Sequence, residues 1–371
     1  MIHTDTLTDR LKRLNWFMLI WVLAFCVAGT MMMVSAGAGD WSEYARSQML
    51  RFALGLVCMA TLMLCPPTWL YRYAYIGFIV MLGLLVTVEI MGHVGMGAQR
   101  WLRFGGLTIQ PSEFMKLALI VALARFYHNA PPDETSHIKN VFMACLMIGL
   151  PVVLILKQPN LGTATVTAFI GIAMLYLAGV SWKYFAAGLV SIGAGAPLAW
   201  QFLHDYQKTR ILTFLDPGKD PLGAGYNIIQ SEIAIGSGGM WGKGYLDGSQ
   251  AQLNFLPEKH TDFIFTMLAE EWGFTGSIAM LLAYAIILIY GTYLVSASRS
   301  IFGRLVAGGV TAFLFIHIFI NIAMVMGLLP VVGLPLPLLS YGGSVTLTSL
   351  MGLGLLLNMG INKEQPLLFR F

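Results

Sequence analysis

The chain has 371 residues, 57% of them hydrophobic and 11% charged, with a mean hydropathy of +0.73. So apolar a composition excludes a soluble domain of this length and points to one polytopic membrane domain over residues 1–371. The formal net charge of +4 is spread over many loops without a run of Lys or Arg, which excludes nucleic acid as a partner.

The first apolar run, 16–36, is long enough to span and carries no small-residue cleavage pattern, so it reads as a retained helix. Nine further runs follow at 49–65, 70–91, 112–129, 138–156, 161–179, 182–203, 263–298, 303–328 and 340–361. The fold class expected is therefore an all-α integral membrane protein of about ten transmembrane helices. A long structured extracytoplasmic loop, 204–262, separates helices 7 and 8. The eighth run would measure about 54 Å as a helix against a bilayer core of about 30 Å, so it must begin outside, tilt, or break near Gly273 and Gly276. Cys26, Cys58, Cys65 and Cys145 lie in apolar runs without metal-ligand spacing and read as packing residues.

With the N-terminus inside, the inner side holds eleven Lys and Arg. The outer side, the long loop left out, holds six: Arg46, Arg51, Arg100, Arg103, Lys116 and Lys157. That bias places both termini in the cytoplasm and the long loop outside. The two five-span halves show no internal repeat, which weakens a transporter built on inverted repeats.

The unusual residues gather in the outer loops. Loop 92–111 is glycine-rich, with Arg100 and Arg103 flanking Trp101, and leads through Pro111 and Ser112 into a helix. Glu113 and Lys116, three apart, share a helical face, either as a self-neutralising pair or as a pair beside a charged substrate. Lys157-Gln158-Pro159-Asn160 forms a polar turn before the sixth span; Lys157 either snorkels or meets substrate. In the long loop, Arg210 follows the seventh span, residues 215–226 are turn-like and 227–235 suit a re-entrant or interfacial helix. Glycines 236, 238, 239, 242 and 244 beside Lys243 form a weak candidate phosphate cradle.

A polar loop meets an apolar span in QAQLNFLPEKHTDFIFTMLAEEWG, residues 250–273, where Glu258, Lys259, His260 and Asp262 crowd the start of the eighth span. Thr261 and Asp262 would serve as a helix N-cap, which leaves their charged neighbours unexplained. Ionisable groups at that depth need a cavity or a partner. The last outer loop, 329–344, carries Pro330, Pro335 and Pro337 before Ser340-Tyr341-Gly342-Gly343-Ser344. Irregular backbone so apolar has to be buried in protein or line a cavity, and it is expected to wall the site.

FLPEKHTDFIF (255–265), QPSE followed by a lysine (110–116) and LPLPLLSYGGS (334–344), in that order over nearly the whole chain, resemble the SEDS family of shape, elongation, division and sporulation proteins. GAQRWL, DPLGAGYNIIQS, GSGG before GKG and PVVGLPLPLLSYGGS are similar to its rod-shape branch. The division branch more usually has a lysine and a threonine near Val332 and Pro335.

The resemblance implies a peptidoglycan glycosyltransferase of cell elongation that polymerises lipid II on the outer face of the bacterial cytoplasmic (inner) membrane. It also implies a class B penicillin-binding protein transpeptidase and other elongation-complex membrane proteins as partners. The family's essential aspartate falls on Asp262, its acid and lysine on Glu113 and Lys116, and its arginine on Arg51. Where the family has aspartate in a QPDLGT turn, this chain has Asn160.

Joining a sugar 4-hydroxyl to an anomeric carbon that leaves a lipid pyrophosphate needs a base and cationic help. Asp262 is the candidate base, or the ligand of a divalent cation such as Mg or Mn. Arg51, Lys116, Arg210 and Lys243 are candidates to neutralise the leaving group. Lys157, Gln158, Asn160, His260, Thr261 and Ser344 are candidate substrate contacts, with Glu113 orienting Lys116. A lipid II flippase or a noncatalytic scaffold of the elongation machinery remain the alternatives.

Overall fold

A computed structural model describes residues 7–41, 43–95, 98–104, 107–202, 205–216, 224–249 and 258–365. Helices follow in the order α1 (Leu7–Lys12), α2 (Trp16–Ala36), α3 (Glu43–Leu64), α4 (Pro67–Met91), α5 (Pro111–Asn129), α6 (Ile138–Lys157), α7 (Leu161–Leu177), α8 (Trp182–Phe202), α9 (Asp205–Leu215), α10 (Ala224–Ser237), α11 (Ile264–Ala297), α12 (Ile301–Val325) and α13 (Gly343–Ile361). Every apolar run expected to span coincides with a helix. Among the described residues seven helices, α2, α3, α4, α6, α11, α12 and α13, are long and apolar enough to cross a membrane.

Local chemistry sets the helix starts. Asn15 accepts from the N–H of Met18, Asn160 from that of Thr163 and Ser300 from that of Gly303, while Pro67 and Pro111 stand where a missing N–H costs nothing. α13 sits at the centre, packed against α3, α5 and α12. Gly354 lets it approach α3 so closely that a Cβ there would lie 2.6 Å from the carbonyl oxygen of Met59. The Asn358 amide then donates to the carbonyls of Leu62, Met63 and Cys65, closing the C-terminal end of α3.

Among the described residues the chain departs from an all-helical fold in one place. Residues expected to form a glycine-rich loop fold into an antiparallel sheet of β1 (His93–Gly95), β2 (Ala98–Phe104) and β3 (Leu107–Ile109), in the order β1-β2-β3. Gly95 pairs with Ala98, and Phe104 with Leu107. The sequence of β2, AQRWLRF, has no strict alternation of polar and apolar residues, so the two-residue period of a half-buried strand is missing from it.

α11 breaks at Gly273, as its length requires. There φ is 65° and ψ −160°, a conformation open to glycine and closed to other residues. The backbone groups freed by the break do not go unpaired. Lys243 and Gly244 donate their N–H groups to the carbonyls of Glu270 and Glu271, and Phe274 and Thr275 donate to those of Gly239 and Met240. The glycine segment 236–244 is thus a patch over the broken helix, and the phosphate-cradle reading is corrected: its donors at Lys243 and Gly244 are spent on α11.

The 227–235 segment is helical, within α10, and packs on α11; Ser231 bonds to Thr266 Oγ1 and to the carbonyl of Val325 at 2.7 Å each. Cys26 is buried as expected of a packing residue, whereas Cys145 is exposed. Residues 217–223 of the turn-like stretch and 250–257 of the charged stretch lie outside the described residues.

Replacing Gly273 by alanine is expected to cost about 1–3 kcal/mol from backbone strain alone. A lowered thermal midpoint of the detergent-solubilised protein would register it; an unchanged midpoint would contradict the break.

Candidate active site

Four helix N-termini, those of α5, α7, α11 and α13, converge on a cavity of about 590 Å³. Arg100 and Trp101 of the sheet form one wall, and Gln110 and Glu113 stand at the start of α5. Asn160 and Thr163 stand at the start of α7, Glu258, Thr261 and Asp262 before α11, and Gly333, Tyr341 and Ser344 around the start of α13. Helix N-termini present unpaired N–H groups and the positive end of the backbone dipole, so their convergence favours an anion.

The turn that carries Asp262 is held from behind. The Asn321 amide on α12 donates to the carbonyl of Asp262 at 2.9 Å and to that of Leu334 at 2.6 Å. Ser340 donates to the carbonyl of Thr261 at 2.6 Å, and the N–H of Tyr341 donates to the carbonyl of His260 at 2.8 Å. Thr261 is tied within the turn, its hydroxyl donating to Oε2 of Glu258 at 2.9 Å. The loop after α12 walls the cavity, as its composition demanded. At Gly333, where φ is +72°, a Cβ would lie 3.3 Å from Oδ2 of Asp262.

His260 packs between the rings of Tyr44 and Tyr341, with centroids 4.5 and 5.6 Å away. Burial draws its pKa below the ordinary 6.5, Glu258 opposing and Lys259 adding to the shift. Burial also lowers the pKa of Lys259.

The other expected contacts divide. Ser344 lines the cavity and accepts from the N–H of Gln110 at 2.8 Å, locking the start of α13 to that of α5. Asn160 lines it too while capping α7, a task an amide oxygen performs as well as a carboxylate. Glu113 lines it, but Lys116 does not. Lys116 is fully buried behind, its ammonium 2.8 Å from both oxygens of Glu113 and 2.9 Å from Nε2 of His317. Arg51 lies outside the lining, its guanidinium 4.0 Å above the Tyr341 ring and bonded to the Tyr341 hydroxyl at 3.0 Å.

Three of the expected contacts are placed away from the cavity. Lys157 is an exposed side chain 3.9 Å from Glu89, and Gln158 is buried with its amide donating to the carbonyl of Leu85. Lys243 pairs with buried Glu270 at 2.7 Å beside the α11 break. None of these three lines the cavity. Arg210 lies on α9, and its side chain is outside the described set.

Among the described residues the lining cation is Arg100, whose guanidinium donates to the carbonyls of Gln158 and Pro159. Among the described residues no three His, Cys, Asp or Glu cluster to hold a metal. A magnesium-type ion commonly takes one or two carboxylates and completes its shell with phosphate oxygens and water, which Asp262 and a diphosphate could supply.

Three comparisons bear on what the site is for. The family FTSW_RODA_SPOVE, described as "Cell cycle protein", matches residues 12–365. The chain belongs to that family. It is 42% identical over 350 residues to the peptidoglycan glycosyltransferase MrdB of Escherichia coli K12, covering 94% of this chain and 93% of that one. It is 32% identical to the peptidoglycan glycosyltransferase RodA of Treponema pallidum over 95% of this chain and 98% of the relative. A chain solved in work on the coordination of polymerization and crosslinking by a peptidoglycan synthase complex superposes with a TM-score of 0.84 at 31% identity, covering 95% and 99% of the two chains. The crystal structure of Thermus thermophilus RodA superposes with a TM-score of 0.72 at 28% identity, over 95% of this chain and 98% of that one. A mostly helical, multi-pass membrane architecture is common to them.

His317 and Asn321 were missed from sequence. Their signal was present: two polar residues four apart interrupt an otherwise apolar stretch of α12, and residues at that spacing share a face. Arg100 was noted beside Trp101 but not assigned to the site, because its strand was read as loop.

Asn321→Leu would leave two buried carbonyls without a donor, about 1–3 kcal/mol each. A lower thermal midpoint with a greater fall in activity per folded molecule is expected; full activity would deny the staple. For His260 the folded ring holds its proton less tightly than the unfolded one. Stability should therefore fall as pH drops below about 6.5 and level off only past the folded pKa. Thermal midpoints at pH 7.5 and 5.5, parent against His260→Phe, should differ less in the variant.

Proposed function

We propose that this peptidoglycan glycosyltransferase carries out glycosyl transfer in the cavity beside Asp262. The oxygen of an acceptor sugar's 4-hydroxyl attacks the anomeric carbon of lipid II, and the bond from that carbon to the lipid pyrophosphate breaks. The hydroxyl proton passes to the Asp262 carboxylate. Arg100 and the N-termini of α5, α7, α11 and α13 receive the charge that develops on the departing diphosphate. A single displacement of this kind inverts the anomeric centre.

One observation carries the reading: the carboxylate of a turn whose backbone carbonyls are held by Asn321 and Ser340 shares a cavity with an arginine and four helix N-termini. A retaining mechanism lacks support. Among the described carboxylates, Glu270 and Glu271 are tied up at the α11 break with Lys243 and Ser35, Glu113 is held by Lys116, and Glu258, which also lines the cavity, accepts from the Thr261 hydroxyl within its own turn. A magnesium or manganese ion at Asp262, where used, would neutralise diphosphate charge.

The wider setting is proposed with it. The chain crosses the bacterial inner membrane ten times, with both termini in the cytoplasm and the cavity at the outer face, where a class B penicillin-binding protein transpeptidase cross-links the strands. The helices at all ten apolar runs, seven of them among the described residues long and apolar enough to cross, and the inner excess of Lys and Arg support that arrangement.

Asp262→Asn and Asp262→Ala should each lower strand formation from purified lipid II by about 10²-fold or more, the range of a lost general base. A folded variant within tenfold of the parent would overturn the assignment. Activity that survives a chelator would remove the cation and leave the base.

A further inference from the structure

The Lys116 ammonium has three hydrogens, and in a fully buried site each needs an acceptor. Oε1 and Oε2 of Glu113 take two, each at 2.8 Å, and Nε2 of His317 stands at 2.9 Å for the third. The other ring nitrogen, Nδ1, stands 2.8 Å from the carbonyl oxygen of Phe313, one turn back on α12. A carbonyl can only accept and an ammonium can only donate. One form of the ring meets both demands: neutral, protonated on Nδ1, with its lone pair on Nε2. An imidazolium would set N–H against N–H.

His317 is itself fully buried, among Phe313, Leu314 and Ile318 on its own helix, a setting that otherwise suits an aliphatic residue. Neither His317 nor Lys116 lines the cavity, but Glu113 does.

We propose that His317 is a positioning residue for glycosyl transfer: its Nε2 lone pair fixes the Lys116 ammonium, and the ammonium fixes the Glu113 carboxylate at the cavity wall. The inference rests on the cavity being the transfer site. With all three hydrogens placed, the ammonium cannot swing about its last carbon, and the carboxylate it grips keeps one orientation toward a sugar hydroxyl. Without the third bond the pair can rotate together and the acceptor at the wall blurs. His317 acts through Lys116 and touches no substrate.

The test compares His317→Gln, whose amide oxygen can accept from Lys116, with His317→Leu, which fills the space and accepts nothing. Both are assayed as the full chain on purified lipid II, with thermal midpoints measured alongside. His317→Gln should stay within about threefold of the parent. His317→Leu should lose on the order of tenfold to hundredfold in kcat with KM for lipid II unchanged, the scale seen when a supporting hydrogen bond to a reacting group is lost.

Equal activity of His317→Leu and parent, or equal losses in both variants, would overturn the proposal. Should His317→Leu not fold, nitrogen-15 histidine spectra of the parent decide: an Nδ1-protonated ring that does not titrate between about pH 5.5 and 8 supports it, and a ring protonated on both nitrogens within that range overturns it. Asp262→Asn run in parallel separates the two ideas. If it is inactive while His317→Leu is unimpaired, this inference alone falls; if it is active, the cavity reading falls and takes this inference with it.

Discussion

The site depends on burying an irregular stretch of backbone without leaving its polar groups bare. Residues 326–342 run without regular structure through the apolar interior, with Leu334, Leu336, Leu338 and Leu339 all buried. In such surroundings each unpaired carbonyl or N–H costs several kcal/mol. The chain answers with side chains on neighbouring helices and with one from the stretch itself. Asn321 reaches the carbonyl of Leu334, Tyr284 on α11 reaches that of Pro337 at 2.5 Å, and Ser340 accepts from the N–H of Leu336 at 2.7 Å. Two of these groups are shared with the turn that carries Asp262: Asn321 also serves its carbonyl and Ser340 that of Thr261. The bonds that make the loop tolerable therefore also fix the backbone of the turn that carries the carboxylate.

The break in α11 follows the same rule. A helix of 34 residues has more length than one straight crossing uses, and the extra turns before Gly273 bring the 258–263 turn to the cavity. Breaking the helix frees backbone groups, and the 239–244 segment pairs them. The buried carboxylate of Glu270 at the break is then matched by Lys243. The glycines that suggested a phosphate cradle and the lysine that suggested a substrate contact are parts of this repair.

What could be read along the chain and what could not divides along physical lines. Helices declared themselves because twenty consecutive apolar residues leave few alternatives, and Gly273 declared its break because the run was too long for one straight span. The Asp262 stretch stood out because charges at a membrane edge need a reason. Partnership was illegible. Whether Lys116, Lys157 or Lys243 meets a substrate or a carboxylate depends on contacts with Glu113, Glu89 and Glu270, and only the first partner is near in sequence. Spacing raised the Glu113–Lys116 pair without revealing that one member faces the cavity and the other a histidine 201 residues away. The sheet was hidden because two of its strands have three residues each and the third, AQRWLRF, does not alternate polar with apolar residues.

The cations most visible in the sequence are mostly spent on internal neutralisation, and this bears on how a diphosphate would be handled. Of the described ionisable groups lining the cavity, Arg100 is basic and Glu113, Glu258 and Asp262 are acidic. The described lining does not hold a dianion by net charge. Backbone dipoles at four helix ends offer a different kind of stabilisation: they are already oriented, they do not have to shed a shell of water, and each is worth only about 0.3–1 kcal/mol at an exposed terminus and about 2 when partly buried. A polymerase that must release a lipid diphosphate after every sugar addition gains from that modesty. Several lysines closing on the leaving group would speed its departure from carbon and then retain it, whereas fixed dipoles and one arginine can favour the charge as it forms and still let it go.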